Sequence, residues 1–178
     1  KDGSAFWASI NARAVYDENG NILYHEGTSE NITERKRAEE ALQVSLEKYR
    51  VLFESFPLGI TISDKSGKVI EANRRSEHLL GITREAHAQR RIDSKEWQII
   101  RKDGTPMPAA EYASTRALRE NRLIENVEMG IVKDKGEITW ISVTAAPIPL
   151  EGYGVAIAYG DITERKRAEE SLRQSEER

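Results

Sequence analysis

ITERKRAEE (Ile32–Glu40) is repeated letter for letter at Ile162–Glu170, and this stretch sets the organisation of the 178-residue chain. In each copy an Asn or Asp lies three residues before a Glu, as NITE from Asn31 and DITE from Asp161. The spacing is close to the capping box, in which a side-chain oxygen accepts from free helix amides and the Glu bonds back. The sequence therefore predicts that each copy begins a helix, at about Thr33 in the first.

The first predicted helix carries a long apolar seam and ends at Pro57 and Gly59. Residues spaced alternately by three and four follow the a/d positions of a heptad pattern: Arg35, Ala38, Leu42, Ser45, Tyr49, Leu52 and Phe56. Two interpretations stay open, a solvated helix without a partner and a weak parallel two-stranded coiled coil. The continuous seam favours the coiled coil. A homodimer is then expected through Ala38, Leu42, Tyr49, Leu52 and Phe56.

The segment between the two repeats has the pattern of an α+β domain. A hairpin is predicted first, then a block of short helices, then three strands, which indicates an antiparallel sheet of five strands with the helices on one face. The predicted strands are LGITISD (58–64), KVIEAN (68–73), IENVEMGIV (124–132), EITWISVTAAPI (137–148) and YGVAIAYGD (153–161), and the predicted helices are RRSEHLLG (74–81) and PAAEYASTRALREN (108–121).

The first 32 residues resemble the last two of these strands. Trp7 aligns with Trp140, and the connecting turn is longer in the first copy. We therefore expect residues 1–32 to be the final hairpin of a preceding domain of the same kind, and the chain, which begins with Lys1, to be a piece of a longer protein. Two strands alone are marginally stable at best.

Composition excludes several functional classes. The net charge is −3, which argues against a nucleic-acid partner, because counterion displacement requires a basic surface. The chain has no cysteine, and therefore no disulfide, thiolate metal site or thiol nucleophile. No apolar run approaches the roughly 18 residues of a membrane helix. We expect a cytoplasmic protein without a membrane span in this segment.

Four stretches together resemble the PAS domain with the PAC-type ending found in bacterial sensor proteins. They are EANRRSEHLLG (71–81), the DGTPMP turn, ITWISVTAAPI and GDITERKRAEESL. The resemblance implies a five-stranded sheet in the order 2-1-5-4-3, flanked by long amphipathic signalling helices. It also implies four segments. Residues 1–32 are a remnant of a preceding PAS domain, and residues 33–56 form the helix that enters the next one. Residues 57–162 form a complete PAS domain, and residues 163–178 start the helix that leaves it.

The resemblance also gives the repeated stretch a role in signal relay. Asp161 and Thr163, with Glu164, are implied to tie the sheet edge to the helix start, so that strand movement becomes helix movement. The first copy has Asn31, Thr33 and Glu34 at these positions. The function implied is a dimeric sensory module that couples ligand occupancy or upstream motion to an output domain of the same parent chain, such as a histidine kinase or a diguanylate cyclase. The alternative is a ligand-free scaffold that only dimerises and transmits.

A ligand pocket would lie between the sheet and the helices. Aligning the two tryptophans places Ile141, Val143 and Ala145 on the inward face of their strand and Trp140 on the outer face. The candidate lining residues are Ile141, Val143 and Ile157 from the sheet and Trp97, Tyr112 and Leu118 from the helical side. A filled core without a cavity is the competing interpretation.

No cofactor is indicated. The flavin branch of the family that forms a cysteine adduct and the p-coumarate branch both need a cysteine, which excludes them here. The haem branch uses a His on the helix before the third strand, and PAAEYASTRALREN has none. We expect surface or packing roles for His25, His78 and His87. Neither catalytic motifs nor metal-ligand spacings occur, and Asp103 and Asp134 lie in ordinary turns. We therefore expect neither a metal site nor an enzyme. The identity of any ligand stays open among a noncovalent flavin, a small carboxylate and a fatty acid.

Overall fold

The structure, a computed structural model, describes residues 5–133 and 136–176 of the chain. It divides into two compact units, Lys1–Val51 and Leu52–Arg178. The predicted KDKG turn includes Asp134 and Lys135, which lie outside the described residues.

The first unit is an antiparallel hairpin that runs into a long helix. Strand β1 (Ala8–Tyr16) pairs with β2 (Ile22–Asn31), and helix α1 (Thr33–Ser55) follows. The hairpin buries little of its apolar surface, since Trp7 is 64% and Ile10 is 72% exposed. A two-stranded sheet has no second layer against which these side chains could pack.

Helix α1 begins at the predicted residue and ends one residue earlier than predicted. Phe56 lies beyond the last helical residue, although its amide still donates to the Leu52 carbonyl at 3.2 Å. No residue of α1 is buried, and the apolar seam residues Leu42, Tyr49, Leu52 and Phe56 are about half exposed or more. Pairing of α1 with a second copy stays a prediction.

The second unit is an α+β domain built on one antiparallel sheet. Its elements are β3 (Gly59–Ser63), β4 (Val69–Ala72), α2 (Arg74–Leu80), α3 (Arg84–Ala88), β5 (Ile99–Ile100), α4 (Ala113–Glu120), β6 (Ile124–Val132), β7 (Ile138–Pro147), β8 (Val155–Asp161) and α5 (Thr163–Glu176). The predicted fold class is confirmed.

The sheet has six strands in the order β4-β3-β8-β7-β6-β5. The first five in this order are the predicted strands in the order that the resemblance implied. The sixth, β5, corrects the predicted five-stranded sheet. It has only two residues, paired with Ile131 and Gly130 of β6, and so carries no alternating pattern in the sequence.

The predicted helix over 108–121 is broken at Tyr112. A single 3₁₀ turn (Ala109–Glu111) precedes α4, and Tyr112 between them has an extended backbone, with φ −56° and ψ 138°. Its side chain is buried, and its hydroxyl donates to the Trp97 carbonyl at 3.3 Å. This tertiary contact outweighs the helical preference of the segment.

The core lies between the sheet and the short helices. Along β7 the inward residues Ile141, Val143 and Ala145 are at most 4% exposed, whereas Trp140 lies on the other face and is half-buried. The predicted facing of this strand is therefore confirmed. Within the residues that the structure describes, no helix combines the length and apolar character that crossing a lipid bilayer requires.

Candidate functional site

The joint between β8 and α5 is held by a compact set of hydrogen bonds. The Thr163 hydroxyl accepts the backbone amide of Trp140 at 2.9 Å and donates to the carbonyl of the same residue at 3.5 Å. Asp161 accepts the amide of Thr163 at 2.8 Å. The Trp140 carbonyl also accepts the amide of Ile162 at 2.8 Å. The first turn of α5 is thus tied to β7, a strand that also faces the core.

The first copy of the repeat makes three of these four bonds. The Thr33 hydroxyl accepts the amide of Trp7 at 2.9 Å, Asn31 accepts the amide of Thr33 at 3.0 Å, and the amide of Ile32 donates to the Trp7 carbonyl at 2.9 Å. Strand register agrees as well, because Ala8 faces Asn31 as Ile141 faces Asp161. The repeated letters therefore encode one local structure twice.

The capping-box prediction needs a correction. Asp161 and Asn31 each accept an amide two residues ahead, so they close a short turn before the helix and do not cap its interior amides. The threonines bind the neighbouring strand. Glu164 and Glu34 are exposed, and within the described residues the structure records no hydrogen bond to either carboxylate. The two glutamates belong to the repeat without taking part in its joint.

The second joint has an ionic clamp that the sequence analysis missed. Glu128, in the middle of β6, binds Arg165 at 2.7 Å and also Lys166. The Lys166 side chain is only 10% exposed, and its ammonium lies 5.9 Å from the centroid of the Trp140 ring. Hydrogen bonds from Lys166 and Arg165 hold the pKa of Glu128 below its usual value. In the sequence, this contact was indicated only by an acidic residue, Glu128, within a predicted strand and on the face opposite the core.

Replacing Thr163 with valine removes both hydroxyl bonds to Trp140 while keeping the side-chain shape. We expect a loss of about 1 kcal/mol in the free energy of unfolding, because a half-buried amide loses its partner. Amide exchange in the first turn of α5 should quicken at least threefold. Hydrogen–deuterium exchange and urea unfolding measure these effects.

Thr33→Val is the matched control for this change. It removes the equivalent bond, but the amide belongs to Trp7, which is 64% exposed and can bind water instead. Its cost should be a few tenths of a kcal/mol. Equal costs for the two variants would contradict the structural role given to Thr163.

Replacing Glu128 with glutamine should release α5 from the sheet. Among the residues that the structure describes, the change leaves the nearly buried Lys166 ammonium with Glu169, at 3.5 Å, as its remaining carboxylate partner. We expect a loss of about 1–2 kcal/mol at pH 7, below the value for a fully buried pair because Glu128 and Arg165 are partly exposed. Urea unfolding gives the energy, and amide exchange along α5 shows whether the helix has been freed.

Glu169→Gln is the control that distinguishes the ionic clamp between β6 and α5 from ion pairing within α5. Glu169 binds the same two cations, Arg165 at 2.9 Å and Lys166 at 3.5 Å, but from within α5. Pairs within a helix contribute a few tenths of a kcal/mol. If Glu169→Gln freed α5 as much as Glu128→Gln, the cross-strand clamp would have no special role.

A small cavity of about 70 Å³ lies in the core between the sheet and the helices. Five of the six predicted pocket residues line it: Trp97, Tyr112, Ile141, Val143 and Ile157. Leu118 does not line it and packs against the core. The walls are mostly apolar, and their polar contribution includes a hydrogen bond of 2.9 Å between Thr61 and the Tyr159 hydroxyl.

The cavity also has a histidine that the sequence analysis placed only as a surface or packing residue. His87, on α3, is fully buried and lines the cavity, with its ring centroid 6.2 Å from that of Trp97. Neither of its ring nitrogens has a hydrogen-bond partner among the described residues. Burial lowers the pKa of His87 to about 4, and Arg90 acts in the same direction. His25 and His78 are exposed, as expected for surface residues.

A wider groove lies outside the cavity and shares part of its wall. Leu80, Trp97 and Ile131 line both the cavity and this groove of about 630 Å³. The Arg90 guanidinium stacks 4.7 Å from the Trp97 ring centroid and pairs with Glu96 at 3.1 Å. Trp97 thus separates an apolar interior from a charged surface. Among the described residues no cluster of His, Asp and Glu could hold a metal ion.

The strand order β4-β3-β8-β7-β6, the short helices over one face and the helix α5 hydrogen-bonded to β7 define a class of α+β sensor modules. PAS domains belong to this class. The sequence profile of the PAS domain family matches residues 1–34 and 57–164. The chain belongs to the PAS domain family.

Two curated relatives and two solved structures are similar to the chain. Sensor protein TdiS of Thauera aromatica is 31% identical over 217 residues, covering 96% of this chain and 38% of that protein. Sporulation kinase E of Bacillus subtilis is 26% identical over 146 residues, covering 82% of this chain and 18% of that protein. The chain thus spans well under half of each relative's length.

The structural matches agree on the fold. The PAS domain of an HTR-like protein from Haloarcula marismortui has a TM-score of 0.52 at 22% identity, covering 72% of this chain and all of that one. A PAS domain from Colwellia psychrerythraea has a TM-score of 0.51 at 22% identity, covering 67% of this chain and 98% of that one.

Proposed function

We propose that this chain is a sensory relay module, which converts a change in the core of its PAS domain into a change at helix α5. One observation carries the proposal. On β7, Ile141 lines the cavity while the preceding residue, Trp140, holds Thr163 and lies beside Lys166 on the opposite face. Because neighbouring residues of a strand point to opposite faces, a shift of β7 acts on both at once.

The relatives support a sensory role in the parent protein. One is named a sensor protein and the other a sporulation kinase, and the chain matches only part of each. We propose that the catalytic output belongs to another part of the parent chain and assign no catalytic step to this segment.

We also propose that residues 1–32 are the final hairpin of a second PAS domain. The support is the shared register of β1–β2 with β7–β8, the three joint bonds that both copies make, and the separate family match over residues 1–34. Residues 33–56 then connect two modules, residues 57–162 form the complete PAS domain, and α5 leads onward. Each copy of the repeat would couple a sheet to a helix.

Dimerisation through α1 and α5 is the remaining part of the proposal. The seam residues Leu42 and Leu52 of α1 are 61% and 50% exposed in the single chain, as an apolar seam that pairs with a second copy would be. Sedimentation of the purified chain tests this directly. Leu42→Glu should shift a dimer to monomer, whereas Val44→Glu, which lies off the seam and is 63% exposed, should not. A monomer at all concentrations would oppose the proposal.

A ligand-free scaffold is the second candidate, favoured by the small size of the cavity. At about 70 Å³ it falls well below the roughly 300 Å³ at which pockets for larger ligands begin. In that function the PAS domain would pass on upstream motion without sensing a molecule itself.

Filling the cavity tests whether the core is coupled to α5. Val143→Ile adds one methyl group on the cavity side of β7, and Ala158→Ser adds one heavy atom on the outer face of β8. If the relay exists, Val143→Ile changes amide exchange in the first turn of α5 at least threefold, and Ala158→Ser does not. If the Val143→Ile domain folds and amide exchange in α5 is unchanged, that result would contradict coupling from the core to α5.

A further inference from the structure

His87 presents hydrogen-bonding capacity to a mostly apolar cavity, whose wall also carries the paired hydroxyls of Thr61 and Tyr159. Its side chain is fully buried, and neither ring nitrogen makes a hydrogen bond of normal geometry among the described residues, although the backbone of Ser76 lies near enough to act on the ring. Leaving a buried polar group unpaired costs about 1–3 kcal/mol, so native proteins satisfy nearly all such groups with protein, water or ligand. A neutral imidazole has one N–H donor and one acceptor nitrogen. Any occupant of the cavity that bears a hydrogen-bonding group meets a partner there.

The surroundings of the cavity specify an uncharged occupant. The cavity walls include apolar side chains such as Val69, Ile92 and Met129. Arg90, the cation that acts on His87, lies 4.7 Å from the Trp97 ring centroid, lines the outer groove and is paired with Glu96. His87 itself is neutral at pH 7, because burial lowers its pKa to about 4. A buried anion would lack a counterion, which carries a large desolvation cost.

The volume sets the size of the occupant. The cavity measures about 70 Å³, whereas an engineered cavity of roughly 150 Å³ is needed to hold benzene. A molecule with about half as many heavy atoms as benzene, or slightly more, fits without rearrangement. Haem and flavin are many times larger.

We propose that the cavity binds a small uncharged amphiphile, with a single hydroxyl or carbonyl group anchored on His87 and a short hydrocarbon part against the apolar walls. This rests on the proposed sensory function and names the ligand class for the same site. The ligand reaches the cavity from the outer groove, between Leu80 and Trp97, which line both spaces. Trp97 closes this route with its indole bonded to the Arg91 carbonyl at 2.8 Å.

Nuclear magnetic resonance with matched probes tests the proposal on this chain. The probes are 1-propanol, 1-chloropropane without a hydroxyl, and propionate with a charge. We expect 1-propanol to bind saturably in the millimolar range, consistent with its few heavy atoms. It should shift the ring nitrogens of His87 and the methyl groups of Val143 and Ile157. The exposed His25 and His78 provide internal references in the same spectrum.

Two variants distinguish anchoring by His87 from nonspecific filling. His87→Leu keeps a buried side chain of similar size and should weaken 1-propanol binding about tenfold, the effect of one lost hydrogen bond. His78→Leu should leave it unchanged. The wild-type chain should bind 1-chloropropane about tenfold more weakly than 1-propanol, and it should not bind propionate at pH 7.

The outcomes separate this proposal from the sensory function. If 1-propanol and 1-chloropropane bind equally, or if His87→Leu binds 1-propanol as tightly as the wild type, His87 does not anchor the ligand. The cavity would still bind ligands. Tighter binding of propionate than of 1-propanol overturns the uncharged class. If neither the three probes nor xenon under pressure shifts the methyl resonances of Val143 or Ile157, the cavity does not bind this class of ligand. The ligand-free scaffold is then the supported function. The effect of Val143→Ile on α5 is independent of all these results.

Discussion

Replacing Asn73 with alanine is expected to destabilise the PAS domain by about 4 kcal/mol, a large part of the 5–15 kcal/mol that holds a typical domain together. Asn73 is fully buried and uses all four of its side-chain hydrogen-bonding positions. Its amide group donates to the carbonyls of Phe53 and Leu58 at 2.9 and 3.0 Å. Its oxygen accepts the amides of Ile60 and Ser76, both at 2.9 Å.

The size of the effect follows from what alanine leaves behind. Four backbone groups in buried or partly buried positions lose a partner, and α2 loses its N-terminal cap, which alone is worth about 1 kcal/mol. The end of α1, the start of β3 and the start of α2 all meet at this residue. Urea unfolding followed by tryptophan fluorescence measures the loss.

Ser76→Ala is the control for the Asn73 prediction. Ser76 is equally buried and adjacent in the same network, but its hydroxyl donates to the Asn73 carbonyl at 2.6 Å and does not connect three elements as the Asn73 side chain does. We expect a cost of about 1 kcal/mol for its loss. If Asn73→Ala cost no more than Ser76→Ala, the side chain of Asn73 would not be the organising contact described here.

Sequence patterns predicted the elements whose signal is local. The alternation in β7 placed Ile141 and Val143 inward and Trp140 outward, and Gly81 ended α2 in the left-handed conformation, with φ 70°. The repeated stretch predicted both helix starts at Thr33 and Thr163. In each instance the responsible residues are close neighbours along the chain.

Features that depend on contacts distant in sequence were missed or misjudged. Tyr112 breaks a helical segment because of its bond to Trp97, and Leu118, although apolar, packs beside the cavity without lining it. Glu128 meets Arg165 only because β6 lies next to β7. His87 was assigned a surface or packing role without a place in the pocket, since nothing in REAHA shows that α3 turns this side chain towards the cavity. Burial of a polar residue is decided by the fold.

The stability of the domain is expected to fall as the pH decreases from 6.5 towards 4, because His87 is buried in its neutral form. Its folded pKa is about 4, whereas an unperturbed histidine titrates at about 6.5. Below pH 6.5 the unfolded chain binds a proton that the folded domain does not, so acid favours unfolding. The expected loss is about 2 kcal/mol at pH 5 and about 3 kcal/mol at pH 4.

The groups that face His87 set the direction of this effect. Burial is the largest influence and opposes the charge; Arg90 also opposes it, while Glu77 and the backbone of Ser76 on α2 favour it to a smaller extent. Carboxylates with lowered pKa values, such as Glu128, lose their stabilising charge only as the pH falls below their unfolded values near 4.5. The interval from pH 6.5 to 5 therefore isolates His87.

Urea unfolding of the wild type and His87→Leu across this interval measures the effect. The variant should lose most of the pH dependence between 6.5 and 5, and it should be no less stable than the wild type at pH 5, since it buries no unpaired nitrogen. His78→Leu, at an exposed position, should retain the full pH dependence. A wild-type stability that stayed constant from pH 6.5 to 5 would show that the His87 ring has a polar partner when folded. The cavity ligand proposed for this residue would then have to compete with that partner.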